Sequence, residues 1–182
     1  KIITILSCGL HVSPALQTGE DLDRLHSQVR SLYELAQHEV HRFGGTIPYV
    51  TGDRLTALFG APAAQEDHAQ RAVLAALGLY QRVLQYQRAA PGDTQAFAIR
   101  MGVHTGTVVV GGISQEHEIA SAIIGNTALV AISLQEAAAP GTILCSAATA
   151  RLVRGVAQLE SIRLITVASE SAPVMTSEVV DR

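Results

Sequence analysis

The sequence predicts an α+β fold: an antiparallel sheet made in the order strand, helix, hairpin, helix, hairpin, helix, strand, with helices laid on one face. Two observations carry this expectation. YVTGDRLTALFGAP at 49–62 and RMGVHTGTVVVGGI at 100–113 are each a pair of apolar, β-branched runs broken by a glycine-bearing turn, the pattern of a buried β-hairpin. Before and between them lie two long segments whose apolar residues recur every three or four positions, as one helix face requires.

Taken in order, KIITILSC at 1–8 is rich in Ile and Thr and reads as a strand buried on both faces. From Gly19 to Arg42, Leu22, Leu25, Val29, Leu32, Ala36 and Val40 line one side of a helix that Gly44-Gly45 stops. After the first hairpin, Gln65 to Gln87 repeats the pattern with Ala69, Ala72, Val73, Ala76, Leu77, Tyr80 and Leu84. Pro91-Gly92-Asp93 turns the chain into the second hairpin, a third helix begins near Gly125, and Pro140-Gly141 enters a short strand at Thr142 to Ser146. This βαββαβ order predicts a ferredoxin-like core over about 1–154. Past Arg154 the periodicity fades, and 155–182 is assigned further strands of the same single domain, 1–182.

Composition narrows the function. A chain of 182 residues can bury a real core. Only 16% of residues are charged and 48% are apolar, against about 25% charged in ordinary soluble domains, which predicts a surface partly covered by a partner. The formal charge of −3 offers no basic face to nucleic acid or an anionic membrane, so both partners are set aside. No apolar run reaches the ~20 residues of a membrane span, and the first residues lack a signal peptide's layout. A cytoplasmic domain is therefore expected. Because Lys1 leads straight into a strand with no initiator Met, we expect a piece of a longer, multidomain protein. Cys8 and Cys145 lie in apolar strand-like runs, where buried reduced thiols are expected rather than a disulfide. The seven histidines show no zinc-ligand spacing.

Several pieces, in shared order and spacing, resemble the class III nucleotidyl cyclase catalytic domains, the adenylate and guanylate cyclase homology fold. They are Phe43-Gly44-Gly45-Thr46, Gly52-Asp53 with Leu58-Phe59-Gly60-Ala61-Pro62, Glu66-Asp67-His68-Ala69, Gly102-Val103-His104-Thr105-Gly106 and Ile124-Gly125-Asn126-Thr127. The resemblance spans roughly residues 3 to 175. It implies chemistry that joins a ribose 3′-oxygen to the α-phosphate of a nucleoside triphosphate and expels pyrophosphate, with two divalent ions, Mg²⁺ or Mn²⁺, held by two aspartates.

Laid on the family's pattern, one metal position holds Asp53 and the other holds Gly9, which has no side chain; Ser7 and Cys8 are no comparable hard ligands. Asp53 by itself also fits a turn residue beside Gly52. The base-reading positions hold Tyr49 and Ala122, so the hydrogen bonds that would select a base are gone. The positions for the transition-state Asn and Arg are Leu129 and Ser133, and that for a phosphate-binding Lys falls near Ile165. Loss of one such oriented contact costs ~100 to 1,000-fold in rate. Arg54, Arg100 and Arg163 are the nearby cations, with Arg54 expected on the sheet face away from Asp53. No GxxxxGK[ST] loop is present.

The expectation is a degenerate cyclase homology domain that pairs with a copy of itself or with another such domain and works as a dimerisation and regulatory module. It needs no cofactor unless nucleotide brings Mg²⁺ or Mn²⁺. Two alternatives stay open: half of a heterodimeric adenylate or guanylate cyclase, and a non-catalytic sensor of a nucleotide or small ligand.

Overall fold

The computed structural model describes residues 1–12, 22–89, 97–108 and 125–181. Its elements are β1 (Ile2–Val12), α1 (Leu22–Arg42), β2 (Thr46–Thr51), β3 (Arg54–Phe59), α2 (His68–Ala89), β4 (Phe97–Thr107), α3 (Asn126–Ala137), β5 (Ile143–Ser146), α4 (Ala147–Leu152), β6 (Gln158–Ile165) and β7 (Val174–Asp181). One seven-stranded sheet runs β2-β3-β1-β4-β5-β7-β6. Its first four strands stand in the ferredoxin-like order, with β1 antiparallel to both β3 and β4. The β4–β5 pair is parallel, and β7 and β6 then extend the sheet antiparallel to β5 and to each other.

The first hairpin turns at Gly52, whose φ of 58° is a left-handed conformation that glycine adopts without steric cost. The second expected hairpin is not broken at its first two glycines: β4 runs straight through Gly102 and Gly106, which pair with Ser7 and Ile3 of β1, and 109–113 lie outside the described residues. Helix α2 starts at His68 instead of Gln65, because the Gln65 side chain is spent on the preceding loop: it accepts from Gly60 N at 3.1 Å and donates to Gly44 O at 3.0 Å. The tail past Arg154 forms two strands, β6 and β7. Helix α4, capped by Ser146 accepting from Thr149 N, was not foreshadowed by any periodicity.

Helices cover both faces of the sheet, not one. Leu6, Cys8 and Leu10 of β1 enter the larger core with Leu32, Ala36 and Val40 of α1 and Ala72, Val73 and Ala76 of α2. Ile3 and Ile5 point the other way and pack on Ala128 and Ala131 of α3. A strand buried on both sides needs a cover on both sides, so the run of apolar residues in β1 already demanded the second layer. Each fully buried Leu, Ile or Val among them contributes about 1.5–3 kcal/mol. Helix α3 lies so close to β4 that a Cβ on Gly102 would stand 2.3 Å from Ala131 O and 2.4 Å from Gln135 N. Among the described residues no helix is long and apolar enough to cross a membrane.

Candidate functional site

The site is built where β1 ends, on the α3 side of the sheet. Alternation along β1 puts Ser7 and Gly9 on that side with Ile3 and Ile5. In register, Gly9 stands between Arg54 of β3 and Arg100 of β4, and directly paired residues project to the same face. Arg54 therefore shares the face of Gly9. Asp53, by contrast, borders Cys8, Leu32 and Tyr33 on the α1 side, so Arg54 is turned away from it, as expected. Arg54 Nε donates to Gln135 Oε1 at 3.0 Å, and Nη2 pairs with Glu136 Oε1 at 2.8 Å. Ser7 Oγ donates to the same Gln135 oxygen at 3.5 Å.

The other two cations end in the same place. Arg100 donates to the Glu136 carbonyl at 3.4 Å and to His11 Nδ1 at 2.7 Å, while Arg163 donates to the Ala137 carbonyl at 3.1 Å. The last turn of a helix presents unpaired carbonyls and the negative end of its dipole, and these guanidiniums answer both. On the turn side, Leu10 N donates to Asp53 O at 2.9 Å, which holds the hairpin tip against the end of β1. Thus the positions of Gly9 and Asp53 do meet in space. The Asp53 carboxylate is exposed and makes no hydrogen bond or ion pair with any described residue. Beside it lies a crevice of about 20 Å³ lined by Cys8, Leu32, Tyr33 and Leu55, room for about one water.

The sequence and the fold that carry this site both have known relatives. The adenylate and guanylate cyclase catalytic domain profile matches residues 11–172. The chain belongs to that family. It is 26% identical over 134 residues to adenylate cyclase 1 of Rhizobium meliloti (strain 1021), covering 73% of this chain and 20% of that protein, so the chain spans about a fifth of that curated relative's length. Its fold matches the adenylyl cyclase CyaB from P. aeruginosa with a TM-score of 0.84 and 26% identity, over 100% of this chain and 94% of that one. The guanylyl cyclase Cya2 matches with a TM-score of 0.78 and 24% identity, over 98% and 91% of the two chains. A guanylyl cyclase domain of the RhoGC fusion protein from Blastocladiella emersonii, described as a non-canonical dimer, shares the fold at 19% identity and a TM-score of 0.73, over 100% and 97%.

The family implies a pair of divalent ions, and the residues of this cyclase-family domain do not fit one. A Cβ at Gly9 would lie 2.3 Å from Gln135 Nε2, so the amide of Gln135 occupies the space a ligand side chain would take. What remains is a single exposed carboxylate, Asp53, where hard cations ask for several anionic oxygens. Among the described residues no three His, Cys, Asp or Glu side chains gather at metal-ligating range.

The other family positions disperse. Leu129 is 52% exposed on the outer side of α3, and Ser133 follows one turn later, half-buried. Ile165 is half-buried and packs with Val174 against Val130, Leu134, Leu144 and Val167, so it belongs to the core beneath α3 and does not share an open surface with Leu129. Tyr49 pairs with Thr56 across the hairpin, and Ala122 lies outside the described residues.

Reading residue by residue missed Gln135, the residue that fills the Gly9 position. A signal existed: it follows Ala131 by four positions and so falls on the buried face of α3, where a polar side chain demands partners. Also missed was a buried hydroxyl chain. His68 Nδ1 meets Thr4 Oγ1 at 2.7 Å, Thr4 meets Thr105 at 2.8 Å, and Thr105 meets Thr149 at 3.0 Å. Alongside it, His104 Nδ1 bonds Ser146 Oγ at 2.7 Å. Burial pushes the His104 pKa down to about 4 and lowers that of His68. Cys8 and Cys145 are both buried and free, and burial pushes each thiol up to about 12.

Proposed function

We propose that this domain is a degenerate cyclase homology domain that acts as a dimerisation and regulatory module in cyclic-nucleotide-type signalling, and does not cyclise nucleotide alone. One observation carries the reading. At the metal position Gly9 offers no ligand, Gln135 fills the space, and Arg54 brings a fixed positive charge to the same spot. The apolar Leu129 adds to it, since a triphosphate set against it would lose hydration without gaining a partner, a cost of several kcal/mol. An exposed leucine on a helix packs well against protein instead.

The partner we propose is a second copy or another cyclase homology domain, joined to further domains of a parent protein in the cytoplasm. The dimeric relative from Blastocladiella emersonii supports pairing through this fold. Neither nucleic acid nor membrane is a proposed partner, and Mg²⁺ or Mn²⁺ would enter only with a nucleotide. Sedimentation of the isolated domain should give a dimer, and incubation with Mn²⁺ and ATP or GTP should give no cyclic product. Turnover by the isolated domain sinks the proposal.

A second reading rests on the exposed, unpaired Asp53 carboxylate. The domain would then be one half of a heterodimeric cyclase, lending Asp53 to a complementary partner. Mixing with that partner should give cyclic product, and Asp53→Ala should abolish it.

A further inference from the structure

We infer that the Arg54 guanidinium is a resident cation that takes the place of a divalent ion, so that the site excludes metal for a reason beyond its missing carboxylate. The inference rests on the degenerate reading and deepens it. Arg54 and Arg100 flank Gly9 from the two neighbouring strands, on the same face of the sheet. Adjacent strands lie about 4.8 Å apart, so both long side chains can reach anything placed at residue 9. A carboxylate restored there would meet two guanidiniums before it met any metal. Arginine binds carboxylate through a planar pair of donors and cannot be neutralised by losing a proton. A divalent ion entering the same space would face the repulsion of both.

The position is also mechanically closed. Arg54 joins the hairpin to α3 through Gln135 at 3.0 Å and Glu136 at 2.8 Å, and Gln135 in turn takes a bond from Ser7 of β1 at 3.5 Å. Arg54 thus ties the hairpin to α3, and Gln135 ties α3 to β1. Arg54 is a positioning residue: it sets α3, the helix that carries Leu129 and Ser133, with no ion required.

Mn²⁺ binding, read by the loss of the free-ion electron paramagnetic resonance signal, tests this without any assay of activity. The wild-type domain and Gly9→Asp should bind no Mn²⁺ at millimolar concentration. The triple variant Gly9→Asp/Arg54→Ala/Gln135→Ala should bind at least about ten-fold tighter than Gly9→Asp, once charge repulsion and the filled space are both relieved. Thermal melting of each sample reports folding, and if the triple variant does not fold, Gly9→Asp/Arg54→Ala carries the same expectation. Arg54→Lys keeps the charge and loses the fork, so placed on Gly9→Asp it should still exclude Mn²⁺. The inference is overturned if the wild type binds Mn²⁺, if Gly9→Asp binds it as tightly as the triple variant, or if the folded multiple variants bind none. Mn²⁺ bound by Gly9→Asp as tightly as by the triple variant, without cyclic product, would end this inference and leave the degenerate reading standing, whereas product from the isolated wild-type domain would end that reading first.

Discussion

The two faces of β1 follow different rules. On one, Leu6, Cys8 and Leu10 are 0%, 1% and 6% exposed and pack with apolar side chains of α1 and α2. On the other, Ile3 and Ile5 are buried in the same way, but the next two residues in the alternation are Ser7 and Gly9, and the neighbours become Arg54, Arg100 and Gln135. The first face is a core, whose demands are volume and apolarity. The second begins as a core and ends as a site, where charge and hydrogen-bond geometry decide what is tolerated. The fold signature of the family is kept on both, yet the polar end of the second is where this chain departs from a metal-binding pattern.

Breaking the core face should cost most. Phe59, fully buried against Gly45 and Val40, should lose about 3–5 kcal/mol on Phe59→Ala, measured by urea unfolding. If the loss were under half of that, the α1/α2 side would not be the tighter of the two. Acid should come next, acting at the far end of β4. Folded His104 stays unprotonated down to about pH 4, while the unfolded side chain takes up its proton near 6.5. Between those values the unfolded chain binds the extra proton, so stability is complete above about pH 6.5 and falls by about 3 kcal/mol as pH drops through 4. His68, lowered by burial, acts with the same sign. His104→Gln should flatten the curve of melting temperature against pH over that window.

The site face should yield less. Arg54→Ala frees Gln135 and the mostly exposed Glu136, and should cost only about 1 kcal/mol because water can solvate what is left. A larger loss would mean that the polar cluster carries as much of the fold as the core does. Smallest of all, Leu129→Ser should change stability by no more than about 0.5 kcal/mol, since the side chain is half out in water. Under the proposed function it should still weaken the dimer, read as a shift of the sedimentation midpoint to higher protein concentration. A stability change without a dimer change would move Leu129 from the interface to the core.

How much was legible depended on how local the cause was. The stripe Leu32, Ala36, Val40 announced α1, and Gly52-Asp53 announced the hairpin turn, because both signals sit within a few residues of one another. The absence of a carboxylate at Gly9 needed only one letter. That Arg54 shares a face with Gly9 was not legible, since strand pairing between β3 and β1 sets it. That Ile165, near the position for a phosphate-binding Lys, packs against Val130 and Leu134 of α3 was not legible either, because the two segments are about 30 residues apart.

The sequence by itself determined the order of elements, the buried character of β1 and the solitary Asp53, all of which follow from residue type and short-range spacing. Only the tertiary structure decided that Gln135 fills the hollow over Gly9 and that Arg54, Arg100 and Arg163 converge on the last turn of α3. Ser7 and Gln135 are 128 residues apart, and contacts at that range are set by strand register and helix packing, quantities that belong to the folded chain as a whole.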